Sequence, residues 1–437
     1  MFKPLTERNN MKFRLTKPER NWILYDVGNS AFVLLVSTIF PIYFNSLAAN
    51  DGISSVDYLA YWGYAASIAT LLTAVLGPVL GRISDGKKRK KPLFLLSIII
   101  GAAGCALLGF ISNWLLFLVV FIIAKSGHSL SIIYYDSMLA DITSEERMDN
   151  VSSLGYAWGY IGSCIPFVIS LGLVLGADFI GIPVSVAMMI AFIICALWWA
   201  IVSVPLLRGY RQPDEQSCQE SNVFAELFST LREIAANKKI LIFLVAYFFY
   251  IDGVYTIIEM ATAYGSALGL DSAGLLLALL ATQIIAFPSS VIIGRLSERY
   301  STKSLILVCI VAYFLIALFA VFITSQLHFW ILAAAVGMLQ GGIQALSRSF
   351  YAKMIPHEKS GGYFGILDIC GKGASFMGTI VISAVSQLSE NVNFGVGAIS
   401  LFFVIGFLLM IFTPDTKCRH DTVLSTMVNK SVSKEQR

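Results

Sequence analysis

The sequence predicts an all-α, polytopic membrane protein with twelve transmembrane helices in two pseudo-symmetric six-helix halves. Three observations carry that expectation. Of 437 residues, 57% are hydrophobic and 13% are charged, about half the roughly 25% charge of a soluble chain. The apolar residues gather into twelve runs, each near the roughly 20 residues that a ~30 Å hydrocarbon core demands of a helix. A short motif also recurs at an offset of 213 residues: Gly81-Arg82-Ile83-Ser84-Asp85 returns as Gly294-Arg295-Leu296-Ser297-Glu298.

A polar tail, 1–21, leads into runs at 22–47, 57–80, 92–112, 114–140, 151–177 and 180–207, which make a first half, 22–207. The link 208–239 is the single long one, polar and charged, and is where a domain boundary belongs. Runs at 240–268, 271–294, 303–325, 328–355, 360–389 and 392–413 make the second half, 240–413, and a polar tail, 414–437, follows. A second echo, at an offset of 212, strengthens the case for duplication: Ala140, Glu146, Arg147, Gly159 and Ser163 match Ala352, Glu358, Lys359, Gly371 and Ser375. Two echoes at equivalent places in each half point to a repeated six-helix unit.

Charge sets the orientation. The links around Asn50, Asn113, Asp178, Asp271, Gln326 and Asn391 hold no Lys or Arg. Lys12, Arg14, Lys17, Arg20, the run Lys87 to Lys91, the long link and the pair Arg295 and Arg299 all lie on the other side. The positive-inside rule makes both termini cytoplasmic. Because the basic run abuts two apolar helices, it reads as a topology anchor, and no nucleic-acid partner is expected.

The seven cysteines form no CxxC pair; Cys105, Cys164, Cys195, Cys309 and Cys370 sit in apolar runs, while Cys218 and Cys418 lie in polar segments. Neither a disulfide nor a zinc site is indicated. No HExxH is present, and Gly365 with Gly371-Lys372-Gly373 fails the phosphate-loop pattern, so no metal, no cofactor and no enzymatic activity are expected. No cleaved signal peptide is expected either, since the first apolar run is too long for one.

The doubled motif and the 6+6 layout resemble the major facilitator superfamily, although Gly86 follows Asp85 directly and Ser301 stands where the second half would carry a later Gly. A closer resemblance is to the branch containing the fungal vacuolar amino-acid effluxer of autophagy and its bacterial relatives. It is carried by Trp22, Leu24, Tyr25, Asp26, Asn29, Ser30, Ala31 and Phe32, then Phe40, Pro41, Tyr43 and Phe44. In the second half it is carried by Gly342, Gln344 to Ser349, Pro356, Phe364, Gly365, Gly371 and Lys372. The resemblance runs from Trp22 to Thr413. It implies the major facilitator fold and secondary active transport of a small solute by alternating access. An amino acid or related zwitterion, exported at the expense of a proton or ion gradient by a monomer in a bacterial cytoplasmic membrane, is the implied setting. A non-transporting receptor or scaffold of the same fold is the alternative.

Ionisable groups in hydrocarbon cost ~2.5 kcal/mol or more on insertion scales, so they face the protein interior or a wet cavity. Here they fall on every third run: Asp26 in the first, Lys125, His128 and Asp136 in the fourth, Asp252 and Glu259 in the seventh, Arg348 in the tenth. The eleventh adds Asp368 and Lys372, spaced to pair along one helix. At about 1.5 Å per residue, Lys125 and Asp252 lie near the midplane, suiting the two ends of a zwitterion or a coupling site; a buried structural ion pair is the plainer alternative. With His128, Glu259, Gln340, Gln344, Asp368 and Lys372 they form the expected substrate or coupling set. Asp26, Asn29, Asp136 and Arg348, nearer the basic end, are gate candidates. Gly81, Arg82 and Asp85, with Gly294, Arg295 and Glu298, are expected to latch helix ends in one state and free them in the other.

Overall fold

The computed structural model describes residues 14–53, 55–213, 223–268, 270–389 and 392–415, and every regular element among them is helical. Lys12, Cys218, Asn391, Cys418 and much of both tails lie outside the described residues, as do the side chains of Lys372 and Ser375.

The first helix, α1 (Lys17–Ser37), starts earlier than its apolar run because a capping box precedes it. The Thr16 hydroxyl accepts from the Glu19 amide at 3.4 Å, and the Glu19 carboxylate accepts from the Thr16 amide at 2.8 Å, satisfying two donors that a helix start leaves free. The helix breaks at Thr38, whose φ of −129° and ψ of −77° are not helical, and resumes as α2 (Ile39–Asn50). Then come α3 (Ser55–Ser84), α4 (Lys90–Leu108), α5 (Trp114–Ser137) with its one-turn extension α6 (Leu139–Ile142), α7 (Met148–Leu175), the short α8 (Ala177–Ile180) and α9 (Val184–Gly209). The second set comprises α11 (Lys238–Ala267), α12 (Ser272–Leu296), α13 (Thr302–Ala320), α14 (Gln326–Met354), α15 (Ser360–Ser389), α16 (Val392–Ala398) and α17 (Ser400–Phe412). The long link contains a helix, α10 (Val223–Ala236), packed against α3, α11 and α15.

Eleven helices among the described residues are long and apolar enough to cross a membrane. The remaining expected span is α15, a 30-residue helix that packs between α3 and α11. Large apolar side chains such as Leu71, Val75, Leu115, Ile201, Val308 and Leu401 are exposed around the bundle. A water-soluble protein rarely exposes so much apolar surface, whereas a bilayer solvates it.

Both sets of helices pair in one pattern. In the first, α1 packs on α7 and α9, α5 on α3 and α4, and α4 on α9; in the second, α11 packs on α15 and α17, α14 on α12 and α13, and α13 on α17. Aromatic rings fill each set, as where Phe32 and Phe40 meet Trp199 and Phe192. Across the sets, α3 packs on α15 and α7 on α12. Glycine permits the first approach: a Cβ at Gly365 would stand 2.6 Å from the Pro78 Cα, and one at Gly361 would stand 2.3 Å from the Gly81 carbonyl oxygen.

Candidate functional site

Arg348, on α14, reaches across to the first half. Its Nη1 donates to Asp136 at 2.9 Å, its Nε to the Ser152 hydroxyl at 2.9 Å and its Nη2 to the Ser152 carbonyl at 3.0 Å; Asp26 on α1 stands 4.0 Å away. The rings of Trp22, Tyr135 and Tyr156 surround the guanidinium at 4.7, 5.4 and 4.4 Å. Arg suits such a site because its planar fork can serve several acceptors while its faces stack on rings. The box is itself braced: Trp22 stacks on Tyr135 at 4.2 Å, and the Trp22 indole N–H donates to the Tyr135 carbonyl at 2.9 Å. Asn29 donates to Asp26 at 3.2 Å, one turn along α1. The four expected gate residues, Asp26, Asn29, Asp136 and Arg348, thus form one cluster.

The repeated motifs sit nearby, at the basic end. Asp85, fully buried, accepts from the amides of Gly361 at 2.8 Å and Gly362 at 3.1 Å, the first turn of α15. Free N–H groups at a helix start favour an anion there. Arg82 lies 3.9 Å from Asp85. Burial pushes the Asp85 carboxyl up to about 6, against the opposing pull of Lys90, the two amides and Arg82. The second copy is related but looser. Glu298, exposed, accepts from Asn150 of α7 at 2.6 Å, Gly294 lies against Ser153, and Arg295 is exposed. Each acid therefore ties the end of a helix in one half to the start of a helix in the other.

Some members of this end gave no signal in the sequence. Lys90, one of five consecutive basic residues, is buried and donates to Asp141 and the Ser360 hydroxyl, both at 3.2 Å. Asp149 collects Lys353 at 2.6 Å, Thr302 at 2.6 Å and Ser349 at 2.5 Å. The available clue was the need of each span's first amides for an acceptor, which makes Gly361-Gly362 and Asp149-Asn150, both at helix starts, places to look for one.

The expected substrate set divides. Glu259 on α11 is exposed, and the charge of Lys125 on α5 acts on it. Asp252, fully buried on α11, is placed differently: it accepts from the Thr256 hydroxyl and the Gly378 amide, both at 3.0 Å. His128 turns into the first half, stacked on Phe32 at 5.0 Å and edge-on to Trp199 at 5.4 Å. Gln344 donates to the Tyr160 hydroxyl at 3.4 Å, across the halves, and Gln340 is buried one turn away. Asp368 is half-buried, and its charge acts on Asp136 and Tyr255; its expected partner Lys372 has its side chain outside the described residues.

Residues 16–149 and 140–423 match the family described as vacuole effluxer Atg22 like. The chain belongs to this Atg22-like family of major facilitator transporters. A relative in Bacillus subtilis strain 168, the uncharacterized MFS-type transporter YxiO, is 42% identical over 413 residues, covering 93% of this chain and 96% of that protein. Autophagy-related protein 22 of Cryptococcus neoformans strain JEC21 is 26% identical over 60% of this chain and 49% of its own, so the Atg22-like chain spans about half the length of that fungal relative. Among solved structures, FucP in the outward conformation superposes with a TM-score of 0.70 at 16% identity, covering 91% of this chain and 98% of that one. The proton:xylose symporter XylE, bound to 6-bromo-6-deoxy-D-glucose, also scores 0.70, at 12% identity over 92% and 95%. At such identities the likeness is one of fold.

Proposed function

We propose that this Atg22-like protein is a secondary active transporter that exports a small zwitterion, an amino acid or close relative, by alternating access across a bacterial cytoplasmic membrane, with its basic end facing the cytoplasm. The cluster at Arg348 carries the reading. A charge this costly to bury is kept at the meeting of two separately packed halves, where its contacts can break and re-form together as a two-state element. The described hydrogen bonds and ion pairs between the halves gather at the basic end, the arrangement of a transporter closed on that side. Deeper in the bundle, Lys125 and Glu259 offer opposite charges from opposite halves, suited to the carboxylate and ammonium of a zwitterion. Asp252, apart from that pair, is the coupling residue of this reading.

The test is a thermal-shift screen of the purified protein against amino acids and related metabolites, since a ligand of the folded state raises its stability by mass action. Flux of each hit is then followed in sealed vesicles. Lys125→Ala and Glu259→Gln should weaken binding, whereas Asp252→Asn should stop gradient-driven flux and spare exchange. Folded variants with wild-type flux and pH dependence would move the site elsewhere, and a ligand that binds without crossing would make the protein a receptor.

A further inference from the structure

Helix α10 is unlike the rest of the basic end. Thr230 and Ile234 are buried against the bundle. Glu233 fixes the rotation of the helix: it accepts from Lys359 at 2.6 Å and from the Tyr363 hydroxyl at 3.3 Å, both at the mouth of α15. With that face pinned, the helical period of about 100° per residue turns Phe228, Leu231 and Ala235 away from it. Phe228 is 75% exposed and Leu231 44%. An aromatic and a leucine held in water side by side are costly, about 1.5–3 kcal/mol each relative to burial.

The surroundings indicate what covers them. Asn237 alone separates α10 from α11, a membrane-crossing helix whose Leu241 and Val245 are exposed to the bilayer, so the apolar edge of α10 adjoins the lipid-facing surface of the bundle. Arg232, Lys238 and Lys239 are exposed beside that edge, and Lys87, Lys88 and Arg89 are exposed at the end of α3, on which α10 also packs. An apolar stripe bordered by basic side chains, at the rim of a membrane bundle, matches the boundary of acyl chains and anionic headgroups.

We propose that α10 is an interfacial helix, lying in the leaflet at the basic end with Phe228, Leu231 and Ala235 at the acyl boundary and Arg232, Lys238 and Lys239 on anionic lipid headgroups. The contact does not depend on the solute carried, and its test does not use transport. Full-length protein with Cys218 and Cys418 replaced by serine is reconstituted in nanodiscs containing phosphatidylglycerol and given one nitroxide at a time, at Phe228→Cys, Leu231→Cys or Ser229→Cys. Collisions with oxygen, which partitions into lipid, should exceed those with an aqueous nickel chelate at positions 228 and 231, and the order should reverse at 229. In purely zwitterionic lipid the oxygen preference at 228 should fall at least twofold. Equal nickel access at all three positions overturns the proposal by leaving the edge as a free aqueous surface, and an unchanged preference without anionic lipid overturns its electrostatic part. Because the labels at 228 and 231 each remove one anchor, the unlabelled protein supplies a second readout: amide exchange over 228–236 should slow when phosphatidylglycerol replaces zwitterionic lipid, and no slowing counts against the contact.

Discussion

Arg348 occupies its site with its whole guanidinium: three N–H groups find acceptors on Asp136 and Ser152, and three rings surround the ion. A lysine at that position would carry the charge without the fork. Arg348→Lys is therefore expected to destabilise the protein by about 1–3 kcal/mol, the cost of leaving buried acceptors on Ser152 and Asp136 unpaired, read as a lowered unfolding midpoint. A midpoint within a degree of wild type would reduce the cluster to a point charge. Asp85 makes a different prediction, about pH. Burial has raised its carboxyl from 3.8 to about 6. In an opened state in which Asp85 meets water, its affinity for a proton returns toward the ordinary one. The closed state therefore gains from acidification: its proton-linked advantage is complete below 3.8 and is lost as pH rises through about 6. A cysteine at Gly362, where a Cβ has only ordinary contacts at 3.6 Å, reports opening by its reaction with a thiol reagent. Relative to an exposed cysteine at Lys87, its reaction should slow as pH falls from 7 to 5, and that excess should vanish with Asp85→Asn. The same pH profile in both proteins would remove Asp85 from the titration.

At the scale of elements, the close approach of α3 and α15 depends on glycine backbone meeting glycine backbone. The α3–α15 contact brings Gly81 against Gly361, and a methyl on Gly361 would collide with the Gly81 carbonyl at 2.3 Å and with Asp85 at 2.8 Å. Backbone cannot rotate away as a side chain can. Gly361→Ala should therefore weaken the closed pair by about 1–3 kcal/mol and speed modification of the Gly362 reporter roughly tenfold, while Gly63→Ala, with nothing within 4 Å, leaves it unchanged. No acceleration would mean that α3 and α15 shift apart cheaply. The existence of these helices was legible in the sequence because run length and hydropathy decide spanning. The ionisable residues of the interior were legible too, because hydrocarbon makes them costly. Pairing was not. Which of five adjacent basic residues turns inward, as Lys90 does, depends on helix rotation, and so does the turning of Asp252 onto the Thr256 hydroxyl and the Gly378 amide. The cap at Thr16 and the breaks at Thr38, Met138 and Ile399 moved helix limits that hydropathy alone could not fix. Helix α10 was hidden because a short amphipathic segment inside a charged link leaves no long apolar run.

For the whole molecule, the two kinds of contact have different consequences. Within each half the helices are joined by close apolar and aromatic packing, such as Phe32 on Trp199 and Tyr313 on Phe403, which resists gradual deformation. Between the halves, at the basic end, the ties are hydrogen bonds and ion pairs borne by Asp85, Asn150, Asp149 and Arg348, which water can replace when the ends part. Motion should thus take the form of two rigid bodies rocking about their shared surface, with these ties broken together. The pair Asn150 and Glu298 offers a direct test, since their side chains meet at 2.6 Å from opposite halves and Glu298 is exposed to reagent. In the double variant Asn150→Cys and Glu298→Cys, a short reducible bifunctional thiol reagent should bridge the halves, stop flux of whichever solute the screen identifies, and leave ligand affinity within about twofold. Flux should return on reduction, and either single variant treated alike should retain it. If the bridged protein transports at the rate of the untreated one, the halves need not separate at this end, and the contacts around Arg348 and Asp85 hold the fold together without gating it.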